Sequence, residues 1–280
     1  MRALLIAPEG MLGRAWKALL EERGLAHDVT GLPAFDLLDD ASVAAGVRAE
    51  HDVVINCAAW TDVDGAEEHE AKATAVNGEA VGRLARRCLE VGATLVHYGT
   101  DYVFSGDAEA PYPVDAPIDP VNAYGRSKAA GERALEEVGA PYLHLRTSWL
   151  YAPWGKNFVL TMARLGQERD RLQVVNDQRG RPTSCRHLAA TTLALLEKEA
   201  RGTFHVTDGG ECTWFDLAAH VVGRVAPGTE VAPCTSDAFP RPAKRPAYSV
   251  LDLSATEALV GPMGAWEAHV DAALEAAGLI

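Results

Sequence analysis

Ala3-Leu4-Leu5-Ile6-Ala7-Pro8-Glu9-Gly10-Met11-Leu12-Gly13 opens on four apolar residues and breaks into a glycine-bearing turn. It then runs into an apolar-periodic segment marked by Trp16, Leu19 and Leu20. A buried strand, a tight turn and a helix in that order form the context in which a glycine turn binds a dinucleotide: the glycines admit a pyrophosphate to the backbone, and the helix N-terminus offers donors and a favourable dipole. Ala7 stands where the first glycine of that pattern usually sits, at little cost provided its φ stays negative.

Working outward, Leu25–Thr30 predicts a weak second strand, followed by Phe35-Asp36-Leu37-Leu38-Asp39 and a helix beginning near Ser42 as N-cap. Asp52–Asn56 reads as a buried strand that leads into Cys57-Ala58-Ala59-Trp60-Thr61-Asp62-Val63-Asp64, small residues where open α/β sheets bind ligands. An interrupted helix over Glu67–Val91 carries Asn77; a strand over Thr94–Tyr98 delivers Thr100; a helix runs from Tyr124 to Val138; and Tyr142–Arg146 is another strand. This alternation predicts an α/β fold, a Rossmann-like doubly wound parallel sheet. Beyond Asn157 the rhythm loosens. Helices are expected over Asn157–Gln167, Cys185–Lys198, Trp214–Val225 and Ala265–Ala277, and strands over Leu172–Asn176 and Gly202–Thr207. The domain expectation is therefore a dinucleotide-binding unit over about residues 1–150, interleaved with a mainly substrate-binding unit over 151–280.

The composition, 48% hydrophobic and 23% charged, is that of a water-soluble globular chain. A net charge of -13 argues against a nucleic-acid surface. No apolar stretch is long enough to span a bilayer, and a strand begins at Arg2, so the expectation is a cytoplasmic protein with no membrane partner. Five scattered cysteines (57, 88, 185, 212 and 234), with no Cys-x-x-Cys, read as thiols rather than disulfides or zinc ligands.

The chemistry is concentrated between His97 and Lys128. Tyr124 and Lys128 are four apart, so on a helix they share a face. An ammonium beside a phenol favours the phenolate and lowers its pKa. Thr100, at the end of the preceding strand, can hold a carbonyl oxygen beside that phenol. Such a set suits reduction of a ketone by hydride and proton. Arg179, Arg181, Arg241, Lys244 and Arg245 form a basic minority in an acidic chain, and guanidinium forks suit a diphosphate.

Together the glycine turn, Asn56 to Asp64, Thr100-Asp101-Tyr102-Val103-Phe104, Tyr124-Gly125-Arg126-Ser127-Lys128, Arg146-Thr147-Ser148-Trp149, Asn157-Phe158, Asn176-Asp177-Gln178-Arg179-Gly180-Arg181-Pro182-Thr183 and Arg245-Pro246 resemble the dTDP-4-dehydrorhamnose reductases. These belong to the extended short-chain dehydrogenase/reductases, and the resemblance covers nearly the whole chain. It implies reduction of dTDP-4-dehydro-L-rhamnose to dTDP-L-rhamnose with NADPH or NADH. It also implies Tyr124 as proton donor, Lys128 on the nicotinamide ribose, Thr100 and Asp101 at the sugar, and Trp149 packed on it. Gly10, Met11 and Leu12 would meet the pyrophosphate, Asp36 and Leu37 the adenine end, and Ala58, Ala59 and Trp60 the middle of the cofactor.

The chain departs from the family at Gly99, where a serine is common, and at Ala15, where members with a carboxylate-held magnesium carry glutamate. No metal is expected, and the oligomeric state is left as monomer or homodimer. The end of the second strand, near Thr30 and Gly31, has neither the acid that suits NAD nor the arginine that suits NADP. Both cofactors are expected to work, with a lean to NADPH because no carboxylate repels its phosphate. Two rival readings stay open: another nucleotide-sugar reductase or epimerase of the superfamily, and a non-catalytic dinucleotide sensor.

Overall fold

The computed structural model describes residues 1–280. Its centre is a six-stranded, all-parallel sheet made of β1 (Arg2–Ile6), β2 (Ala26–Thr30), β3 (Val53–Asn56), β4 (Thr94–Tyr98), β5 (Tyr142–Arg146) and β6 (Gly202–His205), in the order β6-β5-β4-β3-β1-β2. β3 and β4 are buried along their whole length, which is why they read as continuous apolar runs. The order reverses between β1 and β3, so a crevice opens there outside the carboxyl ends of the strands.

Helices cover both faces. α1 (Met11–Glu22) and α8 (Cys185–Glu197) pack one side through Trp16, Leu20, Leu188 and Leu193. α2 (Asp40–Gly46), α5 (Ala80–Val91) and α6 (Ala123–Val138) cover the other, with Val43, Leu84 and Leu135 in that core. A separate core, with Leu217, Val221 and Trp266 at its centre, joins α7 (Phe158–Glu168), α9 (Trp214–Val225) and α11 (Trp266–Ala276). These pack with a parallel strand pair, Arg171–Val175 with Glu230–Cys234. The chain returns to the first layer for α8, for β6 and for α10 (Ser254–Val260), so the two layers interleave.

Three local expectations are corrected. Asp39 caps α2, accepting from the Ala41 amide at 3.0 Å, while the Ser42 hydroxyl accepts from the Asp36 amide. The interrupted helix begins at Val63, because Asp62 accepts from the Gly65 amide, and it resolves into α3 (Val63–Glu68), α4 (Glu70–Thr74), a π-helical turn over Ala75–Glu79 and α5. Ala7 has φ +59°, in the left-handed region. Its amide donates to the Thr30 carbonyl at 2.8 Å, and the Ala7 carbonyl oxygen lies 2.1 Å from where a Cβ on Gly13 would stand, so the turn is tightly packed on both sides of it. For an L-residue that costs about 1 kcal/mol.

Candidate active site

α6 is placed by its ends and by what it touches. Asn122 caps it, accepting from the Gly125 amide at 2.7 Å, and its side-chain amide donates to the Lys244 carbonyl at 2.9 Å. Gly125 lies so close to the Tyr102 carbonyl that a Cβ would approach it to 2.1 Å. That contact brings the Thr100-Asp101-Tyr102 turn against the first turn of α6, beside Tyr124. Further along, the Glu132 carboxylate takes the buried Arg146 guanidinium on both oxygens (2.8 and 3.1 Å), pinning α6 to β5. Gly139, at φ +65°, ends the helix.

The π-helical turn has a similar role. It presents buried Asn77, whose side chain accepts from the Trp60 amide at 2.8 Å and donates to the Trp60 carbonyl at 3.0 Å and to the Ser127 hydroxyl at 2.9 Å. Ser127 in turn donates to the Tyr124 carbonyl at 2.7 Å. One side chain thus fixes the loop after β3 relative to the helix carrying Tyr124, a recurrent use of π-bulges.

Three cavities meet along this edge. One of about 480 Å³ lies at the switch point, lined among others by Ala7, Gly10, Met11, Leu12, Asn56, Ala58, Ala59, Tyr124 and Lys128. A second, of about 410 Å³, is lined by Thr100, Asp101, Tyr102, Tyr124, Trp149 and Trp214 among others. A third, of about 400 Å³, carries Gln178, Arg241 and Arg245 at its rim. Tyr124 lines the first and second; Tyr102 and Trp214 line the second and third.

Of the residues singled out in the sequence, Gly10, Met11, Leu12, Ala58, Ala59, Thr100, Asp101, Tyr124, Lys128 and Trp149 converge on these cavities. Thr30, Asp36, Leu37 and Trp60 line none of the three. Leu37 is packed in the core, Asp36 accepts from the Leu38 amide, and the Trp60 indole donates to the Asp62 carbonyl. Of the basic residues, Arg241 and Arg245 reach the third cavity, Arg245 paired with Asp64 at 2.8 Å. Arg179 instead pairs with Glu211. Trp214 was not anticipated. Its signal was an aromatic opening an amphipathic helix behind Thr213, which gives no hint of a partner at Trp149.

The expected lowering of the Tyr124 pKa is also corrected. The Lys128 ammonium donates 2.6 Å to the Tyr98 carbonyl, and burial pushes its pKa down to about 8. The Tyr124 ring keeps partial exposure on the cavities, yet the protein enclosing it and the nearby Asp101 charge push the phenol up to about 12. Thr100 donates to Asp101 at 3.1 Å, and burial raises the Asp101 carboxyl to about 7. At neutral pH this arrangement holds a protonated phenol beside a hydroxyl, the state a proton donor needs.

The first turn of α1 has no side-chain cap and no acidic residue, so its amides face the switch-point cavity without a competing anion. Small residues at Gly10, Ala58 and Ala59 leave that wall open. The donor set and the shape fit a dinucleotide pyrophosphate.

The chain is similar to known proteins over nearly its whole length. The RmlD substrate binding domain model matches residues 1–278. The dTDP-4-dehydrorhamnose reductase of Streptomyces griseus is 44% identical over 278 residues, covering 95% of this chain and 91% of that protein. The crystal structure of a dTDP-4-dehydrorhamnose reductase from Clostridium acetobutylicum superposes with a TM-score of 0.94 at 36% identity, covering 99% of both chains. The Bacillus anthracis enzyme of that name, in complex with NADP, gives 0.94 at 33% identity over 98% of this chain and 99% of its own. No helix is long and apolar enough to cross a membrane.

Proposed function

Because the chain belongs to the dTDP-4-dehydrorhamnose reductase family, we propose that its cleft reduces the 4-keto group of dTDP-4-dehydro-L-rhamnose to give dTDP-L-rhamnose. A reduced nicotinamide dinucleotide would lie in the switch-point cavity and the sugar beside Thr100 and Asp101. The observation that carries this reading is that one phenol, Tyr124, lines both cavities.

When bound, the reduced nicotinamide supplies a hydride to the keto carbon. Negative charge then grows on the keto oxygen, and Tyr124 donates its proton there. An alkoxide is a far stronger base than a phenolate, so a phenol held near 12 still gives its proton downhill. Thr100 orients the oxygen when its hydroxyl turns from Asp101 to the substrate. Lys128 reaches the ribose from its place in the switch-point cavity, and its charge is available below about pH 8. The first-turn amides of α1, with Gly10, Met11 and Leu12, hold the pyrophosphate. Arg241 and Arg245 face the diphosphate of the sugar nucleotide. In this reading residues 1–150 serve mainly the dinucleotide and residues 151–280 mainly the substrate.

NADPH and NADH both serve, NADPH better, since no carboxylate stands at Thr30 and Gly31 to repel a 2′-phosphate. The phenol supplies the proton and the reduced nicotinamide the hydride, so the proposed reaction asks for no metal. A turnover assay with dTDP-4-dehydro-L-rhamnose, followed by loss of reduced-nicotinamide absorbance, tests the reading. Saturable oxidation yielding dTDP-L-rhamnose is expected. Tight dinucleotide binding without turnover would favour the sensor, and faster reduction of a different 4-keto sugar nucleotide would move the substrate assignment. A kcat/KM for NADH more than about a hundredfold above that for NADPH, some 2.7 kcal/mol, would refute the cofactor preference.

A further inference from the structure

Away from the cleft, three ligand-type side chains from three separate segments converge on one point. His187 lies in the first turn of α8, Asp208 follows β6, and His269 lies in the first turn of α11. His187 Nδ1 is 2.7 Å from Asp208 Oδ1, His269 Nε2 is 4.0 Å from the same oxygen, and the three atoms lie within 4.8 Å of one another. We propose that His187, Asp208 and His269 bind one divalent transition-metal ion, of the zinc, cobalt or nickel class.

The carboxylate is held from behind. Asp208 is fully buried, and its Oδ2 accepts from the Tyr151 hydroxyl at 2.8 Å and from the Ser184 amide at 3.0 Å, which leaves Oδ1 to face the imidazoles. Such outer partners are what orient metal-ligating carboxylates. A structural His–Asp hydrogen bond would account for His187 alone. It leaves His269 unexplained, because its Nε2 is buried without a hydrogen-bond partner although it points at the same oxygen.

The geometry is close to what an ion requires. Tetrahedral coordination at about 2.0–2.1 Å sets ligand–ligand edges near 3.3 Å. The 2.7 Å edge must open and the 4.0 Å edge must close by roughly 0.6–0.7 Å, and the His187–His269 edge, within 4.8 Å, must settle to the same length. The two rings are stacked at 4.3 Å and must splay slightly. Binding through His187 Nδ1 uses the tautomer whose proton sits on Nε2. A cavity of about 310 Å³ lined by Ser184, Arg186, His187 and His269 opens beside the cluster, room for water in a fourth position. Arg186, the one cation there, has its guanidinium over the Trp154 ring at 5.3 Å. Two imidazoles and one carboxylate suit borderline divalent ions, whereas magnesium and calcium want six or more oxygens.

An ion so held would tie α8, which packs on the sheet, to α11, which belongs to the C-terminal core. It takes no part in hydride or proton transfer, since none of its ligands lines the cleft. Full-length protein stripped with chelator and titrated with zinc chloride at about pH 7.5, above the ordinary imidazole pKa, should bind one equivalent with a Kd of about 1 µM or tighter. Cobalt should give the visible absorption of a four- or five-coordinate nitrogen and oxygen site. His269→Gln and His187→Gln should each weaken binding by at least about a hundredfold. His220→Gln, which removes the separate His220–Asp271 pair, should not. Keto-reduction by stripped His269→Gln should match that of stripped wild type. No zinc binding at about a hundred times that Kd, or equal affinity in wild type and both cluster variants, would overturn the proposal. If one variant fails to fold, the other decides.

Discussion

The indole of Trp149 lies face to face with that of Trp214, ring centroids 3.6 Å apart and planes 12° from parallel. Trp149 adopts φ +49°, a conformation a bulky side chain rarely takes, and Gly180 sits so close that a Cβ there would come within 2.7 Å of the same indole. Trp149 is therefore clamped in a strained backbone state at the wall of the cavity beside Thr100 and Asp101, and one of its faces is already covered. Trp214→Ala should raise the KM for the sugar nucleotide by about tenfold, some 1.4 kcal/mol, close to the worth of one aromatic stack. Dinucleotide affinity should not change, and Trp214→Phe should recover most of the loss. Steady-state kinetics with a separate dinucleotide titration decides; an unchanged KM would show that the stack does not shape the sugar site.

Tyr124→Phe keeps the ring and removes only the hydroxyl. It should lower kcat by at least about a hundredfold, roughly 2.7 kcal/mol, with dinucleotide binding intact. Thr100→Val should cost less, since the proton donor remains. Near wild-type turnover by Tyr124→Phe would remove the phenol from the mechanism.

The charge on Lys128 should set the alkaline side of the pH profile. Burial lowers its pKa to about 8, so the ammonium is lost as pH rises through that value. kcat/KM should fall above about pH 8. Lys128→Arg, whose guanidinium does not titrate there, should abolish that limb whatever its absolute rate. A limb unmoved in Lys128→Arg would assign it to another group.

Asp101 links activity to stability. Burial raises its carboxyl to about 7, far above an unfolded value near 3.9. Between those two values the unfolded chain ionises while the native one stays protonated, so this group costs native stability as pH rises through the window, up to the folded pKa. Asp101→Asn should therefore raise Tm at about pH 8 by roughly 5 °C, and the gain should shrink as pH falls toward 4. Thermal melts of both proteins across that range test the sign. A gain that grew on acidification would refute it.

Gly99 and His144 are sterically coupled. A Cβ on Gly99 would lie 2.5 Å from His144 Nε2, and the His144 ring is fully enclosed, stacked on His97 at 5.9 Å. The serine common at this position in the family does not fit here. Gly99→Ser should destabilise by about 1–3 kcal/mol, the usual cost of overpacking, and adding His144→Ala should restore much of it. Additive effects in denaturant melts would rule out the coupling.

The residues alone determined the parallel α/β sheet, because strands buried on both faces must be continuously apolar and the intervening helices must carry one apolar face. They determined the meeting of Tyr124 and Lys128 on one helical face, which follows from periodicity. They also marked Gly10, Ala58 and Ala59, small residues just past the ends of strands where open α/β sheets bind ligands. What the chain order could not carry was anything set by contacts between distant segments. The positive φ of Ala7 accompanies contacts with Thr30 and Gly13, which lie far from one another in the chain. Lys128 turns to the Tyr98 carbonyl rather than to the phenol because of where β4 ends. Trp149 finds Trp214 from a separate core, and His187, Asp208 and His269 come from three segments that only the interleaved layers bring together. A pKa depends on enclosure by every neighbour at once, and enclosure is a property of tertiary packing alone.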